Sequence, residues 1–153
     1  MNLYLDTSAI VKRLTAEVGS LEMEDATAAA NLIGTTMLSH AEVAAALKKG
    51  CRTNALDERS AALALGQFNK YWLGFVRIRV TRRLVKHAAT LAWDHDLRGY
   101  DAMHLASAAA WQQSLQHGVT IATFDVAQWK AAKAIGLDVY PPDLPAWIKQ
   151  RPG

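Results

Sequence analysis

The chain of 153 residues contains one cysteine, Cys51. A single thiol excludes an internal disulfide and any zinc site built on cysteines. Cys51 follows Gly50 near an expected helix end and reads as a half-buried structural thiol rather than a nucleophile. No stretch approaches the ~18 uninterrupted apolar residues of a membrane span, and mean hydropathy is -0.01. The first apolar segment contains Asp6 and Lys12, which denies it the clean apolar region of a signal peptide. There are no internal repeats, low-complexity tracts or linkers, and no Ser-His-Asp or Cys-His arrangement is evident. These absences predict a soluble, cytoplasmic protein of one domain over 1–153, with no membrane association.

What is present is a composition that can build a core. Hydrophobic residues make up 51% against 20% charged, a balance that excludes intrinsic disorder. The net charge of +3 and pI near 9.1 are mildly basic. Arg77, Arg79, Arg82, Arg83, Lys86 and Arg98 face only Asp94 and Asp96 between Phe75 and Tyr100. Such a stripe is either a phosphate-binding surface or an ordinary solvated face.

Short apolar runs alternate with helical patterns. Strands are expected at Asn2 to Leu5, Leu32 to Leu38, Phe75 to Val80, Val119 to Thr123 and Leu137 to Tyr140. In the third, Val76, Ile78 and Val80 should share one face and Arg77 and Arg79 the other. Helices are expected after Asp6, from about Ser20, from Ser39 to a cap at Gly50, from Asp57 to Trp72, after Thr81, from Tyr100 to Gln116, and from Val126 to Ile135 with Gly136 closing it. Pro-rich PPDLP introduces a C-terminal tail, 141–153. Strands separated by helices imply βαβ units and a mainly parallel sheet. The five scattered tryptophans read as packing anchors rather than a base-stacking platform.

Four carboxylates stand where such a sheet collects ligands, at strand ends and the starts of the following helices. Asp6 follows the first strand, Glu42 lies in the first turn after the second, and Asp125 lies two residues past the fourth; Asp101, in the first turn of the Tyr100 helix, can join them. A cluster of hard oxygen ligands suits Mg²⁺ or Mn²⁺. Each acid also has a structural reading. Asp6 and Asp125 are good helix N-caps, Ser39-His-Ala-Glu42 fits a capping box, and Asp101 favours the positive end of its helix. Periodicity alone leaves both readings open.

LDTSAIVK (Leu5 to Lys12), SHAEVAAAL (Ser39 to Leu47), LRGYDAMHLASA (Leu97 to Ala108) and TFD (Thr123 to Asp125) resemble, in order, the four motifs of PIN domains, particularly the VapC-type toxins. The resemblance spans 3–140. It implies a three-layer α/β/α sandwich on a five-stranded sheet, with Asp6, Glu42, Asp101 and Asp125 as the catalytic acids. Asp6 and Asp101 would hold the principal Mg²⁺ or Mn²⁺, and Glu42 and Asp125 would ligate directly or through water. Ser8, Thr123 and His104 are auxiliary polar positions, His104 standing three residues from Asp101 on one helix face. Lys12, Arg77, Arg79 and Arg98 are candidate RNA contacts. The implied function is a metal-dependent endoribonuclease toxin, an RNA-cutting homodimer neutralised by a VapB-type antitoxin. The alternatives are a housekeeping PIN nuclease in RNA maturation and a non-catalytic PIN binding module. A phosphotransferase of the haloacid-dehalogenase type would need an aspartate at position 8, where this chain has Ser8.

Overall fold

A computed structural model describes residues 1–150. Five strands form one sheet: β1 (Asn2–Leu5), β2 (Leu32–Thr36), β3 (Val76–Ile78), β4 (Val119–Ala122) and β5 (Asp138–Tyr140). Their order is β3-β2-β1-β4-β5 and every pairing is parallel. Around it lie α1 (Thr7–Leu14), α2 (Ser20–Ala28), α3 (Ser39–Arg52), α4 (Glu58–Trp72), α5 (Arg82–His95), α6 (Gly99–Leu115), α7 (Val126–Ala134) and α8 (Leu144–Gln150). No helix among the described residues is long and apolar enough to cross a membrane.

The alternation of side chains along a strand divides the core in two. Leu3 and Leu5 of β1 join apolar residues of α1 to α4, whereas Tyr4 joins those of α5, α6 and α7 with Val119 and Ile121 of β4. Helices therefore cover both faces of the sheet, giving the expected three-layer α/β/α sandwich. Helix α6 is the most enclosed, burying Ala102, Met103, His104, Leu105, Ala106, Ala108 and Trp111. Gly34 of β2 makes room for it: a Cβ there would stand 2.7 Å from the Trp111 ring.

Local chemistry sets most of the helix ends. Asp57 accepts from the Ser60 amide to start α4, and Thr81 accepts from the Leu84 amide to start α5. Gly136, at φ +82°, follows α7 in the left-handed region that glycine adopts freely. Other boundaries differ from the sequence reading. Helix α3 runs through Gly50 to Arg52, and the left-handed residue after it is Asn54; Gly50 instead lies close against Leu56. Strand β2 stops at Thr36, because Met37 and Leu38 turn into α3. Its neighbour β3 consequently ends at Ile78, the partner of Thr36. Beyond it no β2 residue is left to pair with, so Val80 is 41% exposed and not on an inward face. Strands β4 and β5 are likewise one residue shorter than expected, at Thr123 and Leu137. The tail carries α8, which follows Asp143, whose carboxylate accepts from the Ala146 amide; residues 151–153 lie outside the described residues. Of the tryptophans, Trp111 and Trp129 are buried anchors, but Trp93 is 90% exposed and anchors nothing.

Candidate active site

Strand order places the crevice. From β1 the chain moves outward to β2 and β3, then returns across to β4 and on to β5. The connections leave β1 and β4 in opposite directions, so a cleft opens at their carboxyl ends, the usual ligand position in an open parallel sheet. Asp6 and Asp125 stand there. They line a cavity of about 520 Å³ together with Glu42 from α3 and Asp101 from α6. All four sequence-selected acids are thus on one pocket wall.

Asp6 is 3% exposed. Its Oδ1 accepts hydrogen bonds from the Ala9 amide (2.8 Å) and the Ser8 hydroxyl (2.7 Å). It is therefore the cap of α1 and a member of the pocket at once, so the cap does not exclude a place in the pocket. Burial pushes its carboxyl above the ordinary aspartate range, against the opposing pull of the nearby His104 imidazole and of hydrogen bonds from Thr123, Ala9 and Ser8. Among the described residues, no cationic side chain forms an ion pair with it. Ser8 Oγ also accepts from the Phe124 amide at 3.0 Å, tying the turn after β1 to the turn after β4. Thr123 is fully buried, and its hydroxyl accepts from the Asp125 amide. Asp125 in turn caps α7 through the Gln128 amide.

Glu42 departs from the capping box. The first residue of α3 is preceded by Leu38 with no side-chain cap, and Ser39 instead bonds Thr35, 2.6 Å away. The Glu42 carboxylate turns to His104, with Oε1 3.0 Å from Nε2. His104 is 2% exposed and meets Tyr4 OH through Nδ1 (3.0 Å) and Thr7 Oγ1 through Nε2 (3.2 Å). With Nε2–H donating to Glu42, Nδ1 accepts the Tyr4 hydroxyl proton. Burial holds that hydroxyl well above the usual tyrosine range, so it remains a donor. His104 is thus a buried link between β1, α1, α3 and α6, not a surface histidine.

The cations separate into two groups. Arg98 bonds Asp101 Oδ2 (Nε, 2.6 Å) and Asp125 Oδ2 (Nη2, 3.1 Å). Lys12 lines the pocket with its ammonium on Glu17 and the Val18 carbonyl, 4.9 Å above the Phe124 ring. Arg77 and Arg79 do not line it; both are exposed along the β3 segment at the sheet edge, Arg77 6.0 Å over Trp72. The basic stripe is therefore not one continuous wall of the pocket. Sequence reasoning missed Lys49, Thr7, Phe124 and Glu17, all of which line the cavity. Lys49 had a legible signal, since it lies two helical turns after Glu42 on the same face. It also missed Trp147 of α8, which stacks 5.0 Å from Phe124.

The profile of the PIN domain family matches residues 3–134. The chain belongs to this family. It is 35% identical over 141 residues to the ribonucleases VapC45 and VapC49 of Mycobacterium tuberculosis, covering 92% of this chain and 96% of each relative. Among solved structures, it superposes with a TM-score of 0.62 on a chain of a toxin-antitoxin complex from Klebsiella pneumoniae, at 15% identity over 92% of this chain and 98% of the other. A chain of VapBC2 from Rickettsia felis, bound to a promoter DNA fragment, gives 0.62 at 13% identity over 91% and 97%. At such identities these structures speak to the fold alone.

The acids of this PIN domain suit a hard divalent cation. Their oxygens are carboxylates, the ligands Mg²⁺ and Mn²⁺ prefer, and among the described residues the buried Asp6 forms no ion pair. Among the described residues, no three carboxylate or imidazole groups converge on one ion-sized point as they stand. Asp101 and Asp125 are occupied by Arg98, and Glu42 by His104.

Proposed function

We propose that this PIN domain is a divalent-metal-dependent endoribonuclease, acting in the cytoplasm as the toxin of a toxin–antitoxin pair. The observation that carries the reading is Asp6, a buried carboxylate without a cationic partner, sharing one pocket with Glu42, Asp101 and Asp125 at the β1–β4 crevice. The names of the ribonuclease relatives and the toxin–antitoxin neighbours support the same assignment.

Phosphodiester hydrolysis requires an activated water and neutralised charge on the phosphate. A bound Mg²⁺ or Mn²⁺ supplies both, as Lewis acid and source of a hydroxide-like nucleophile. The protein's part is to bind and orient. Asp6 and Asp101 would hold the principal cation, with Glu42 and Asp125 as further ligands, directly or through water. Ser8 and Thr123 keep the two carboxylate-bearing turns in register. His104 fixes the Glu42 carboxylate by hydrogen bonding it, so that Glu42 can orient the attacking water. Lys12, Lys49 and Arg98 line the pocket and take the phosphates of bound RNA near the scissile bond, with Arg77 and Arg79 placed to meet flanking phosphates. A VapB-type antitoxin neutralises the toxin by covering this pocket, and the active form is a homodimer.

Incubating the purified chain with total RNA, with Mg²⁺ or with chelator, tests the chemistry. Cleavage is expected only with the metal. Expression of the chain alone should arrest growth, and co-expression with the small gene encoded beside it should relieve the arrest. Active nuclease that leaves growth untouched would remove the toxin role.

A further inference from the structure

Arg98 is the residue immediately before α6. Its backbone is extended, and its side chain makes no capping bond. That side chain is 77% exposed, yet its guanidinium reaches back over the pocket to two acids at the starts of two different helices. Both bonds end on an Oδ2 atom, at 2.6 Å on Asp101 and 3.1 Å on Asp125. The hydrogen bond to Asp101, then the charges of Asp101 and Asp125, hold the guanidinium above its ordinary pKa. A guanidinium bonded to both carboxylates fills the space that an ion bound by both would need, and two positive charges there repel. The oxygens are the ones a cation would draw on, and among the described residues no three ligands converge on one ion-sized point.

We propose that Arg98 and a divalent cation are mutually exclusive on the Asp101–Asp125 pair, so that loading the cation frees the guanidinium to grip a substrate phosphate. The proposal rests on the reading that these acids hold a metal. An exposed ion pair is weak, so the exchange is thermodynamically open. A freed guanidinium presents a planar fork of donors that matches phosphate oxygens two at a time. Arg98 thereby couples the filling of the pocket to retention of RNA, through a side chain that makes no capping bond to its own helix.

The test uses the full chain, stripped of metal, with Mn²⁺ as the probe in titration calorimetry. Arg98→Gln should bind Mn²⁺ roughly three- to tenfold more tightly than the unmodified protein, because two exposed pairs no longer compete. Lys49→Gln controls for charge acting through space. Lys49 lines the same cavity and forms no ion pair with the acids among the described residues, so its change should be clearly smaller. Equal tightening by the two variants, or none by Arg98→Gln, overturns the exclusion. No Mn²⁺ binding by the unmodified protein or by Arg98→Gln overturns the metal reading of the pocket and this inference with it. The second readout is anisotropy of a fluorescent 2′-O-methyl oligoribonucleotide, which resists cleavage. Mn²⁺ should raise its affinity for the unmodified protein, and Arg98→Gln should lose most of that gain. A gain undiminished in Arg98→Gln overturns the transfer of Arg98 to phosphate.

Discussion

Burying the Asp6 carboxyl raises its pKa, because the charged form loses hydration that Ser8 and Ala9 replace only in part. The folded chain without metal therefore binds a proton here more tightly than the unfolded chain. By linkage, this contribution to stability is complete below the unfolded pKa and is lost as pH rises through the folded one. At neutral pH the burial of Asp6 is therefore a liability of the metal-free protein. Asp6→Asn, which keeps an acceptor oxygen for the α1 cap, should raise the melting midpoint in chelator at pH 7. The gain should shrink as pH falls below the ordinary carboxylate range, and the variant should not cleave RNA. Scanning fluorimetry across pH decides it, and a lower midpoint at pH 7 would contradict the burial argument. Asp101 is more exposed and is held by Arg98. Asp101→Asn should abolish cleavage with a stability change of at most about 1 kcal/mol. Retained cleavage by the folded variant would remove Asp101 from the catalytic set.

Elements fit one another through a few close approaches. Helix α6 lies on the sheet because β2 offers Gly34 beneath the Trp111 ring. Gly34→Ala would set a methyl 2.7 to 2.9 Å from three ring atoms of Trp111, and an enclosed ring cannot swing away as a flexible chain end does. The expected cost is about 1–3 kcal/mol, measured by urea unfolding. Strand β3 makes a different point. It is a short edge strand whose Arg77 side chain faces solvent, with Arg79 just beyond it. Replacing Arg77 and Arg79 together by Ser should make the salt dependence of RNA binding shallower by about 1.4 in logarithmic slope, for two single-strand phosphates released. An unchanged slope would return both arginines to an ordinary solvated face.

For the whole molecule, a cation held by the shared pocket would link metal binding to folding. A ligand that binds only the native state adds RT ln(1 + [L]/Kd), about 2.7 kcal/mol at a hundredfold excess over Kd. In a domain of this size that is about 5–10 °C in melting midpoint. Mg²⁺ or Mn²⁺ should produce it beyond what matched ionic strength of a monovalent salt achieves. The metal-free protein should remain folded, since two apolar clusters on the two sheet faces need no ion. After Asp6→Asn, adding Asp101→Asn should remove little further metal stabilisation. Independent, additive losses would show that the two acids do not share one site.

The order of strands and helices, the parallel sheet and the four acids were all legible in the chain, because strand and helix periodicity and the D-T-S, A-E-V, Y-D-A and T-F-D segments are local signals. Local signals also placed the caps at Asp6, Thr81 and Asp125. They failed where a residue's partner is distant in sequence. Ser39 and Glu42 spell a capping box, yet their side chains go to Thr35 and to His104, 62 residues away. Arg98 reads as part of a basic stripe, yet it closes on Asp101 and on Asp125, 27 residues on. Strand β3 stops early because its neighbour does, and the segment after Tyr140 folds back until Trp147 meets Phe124. Which residues have the chemistry for a cation site is thus written in their order along the chain. Which of them are buried, which are already paired and which one forms no ion pair depended on packing, since burial and pairing are properties of neighbours in space.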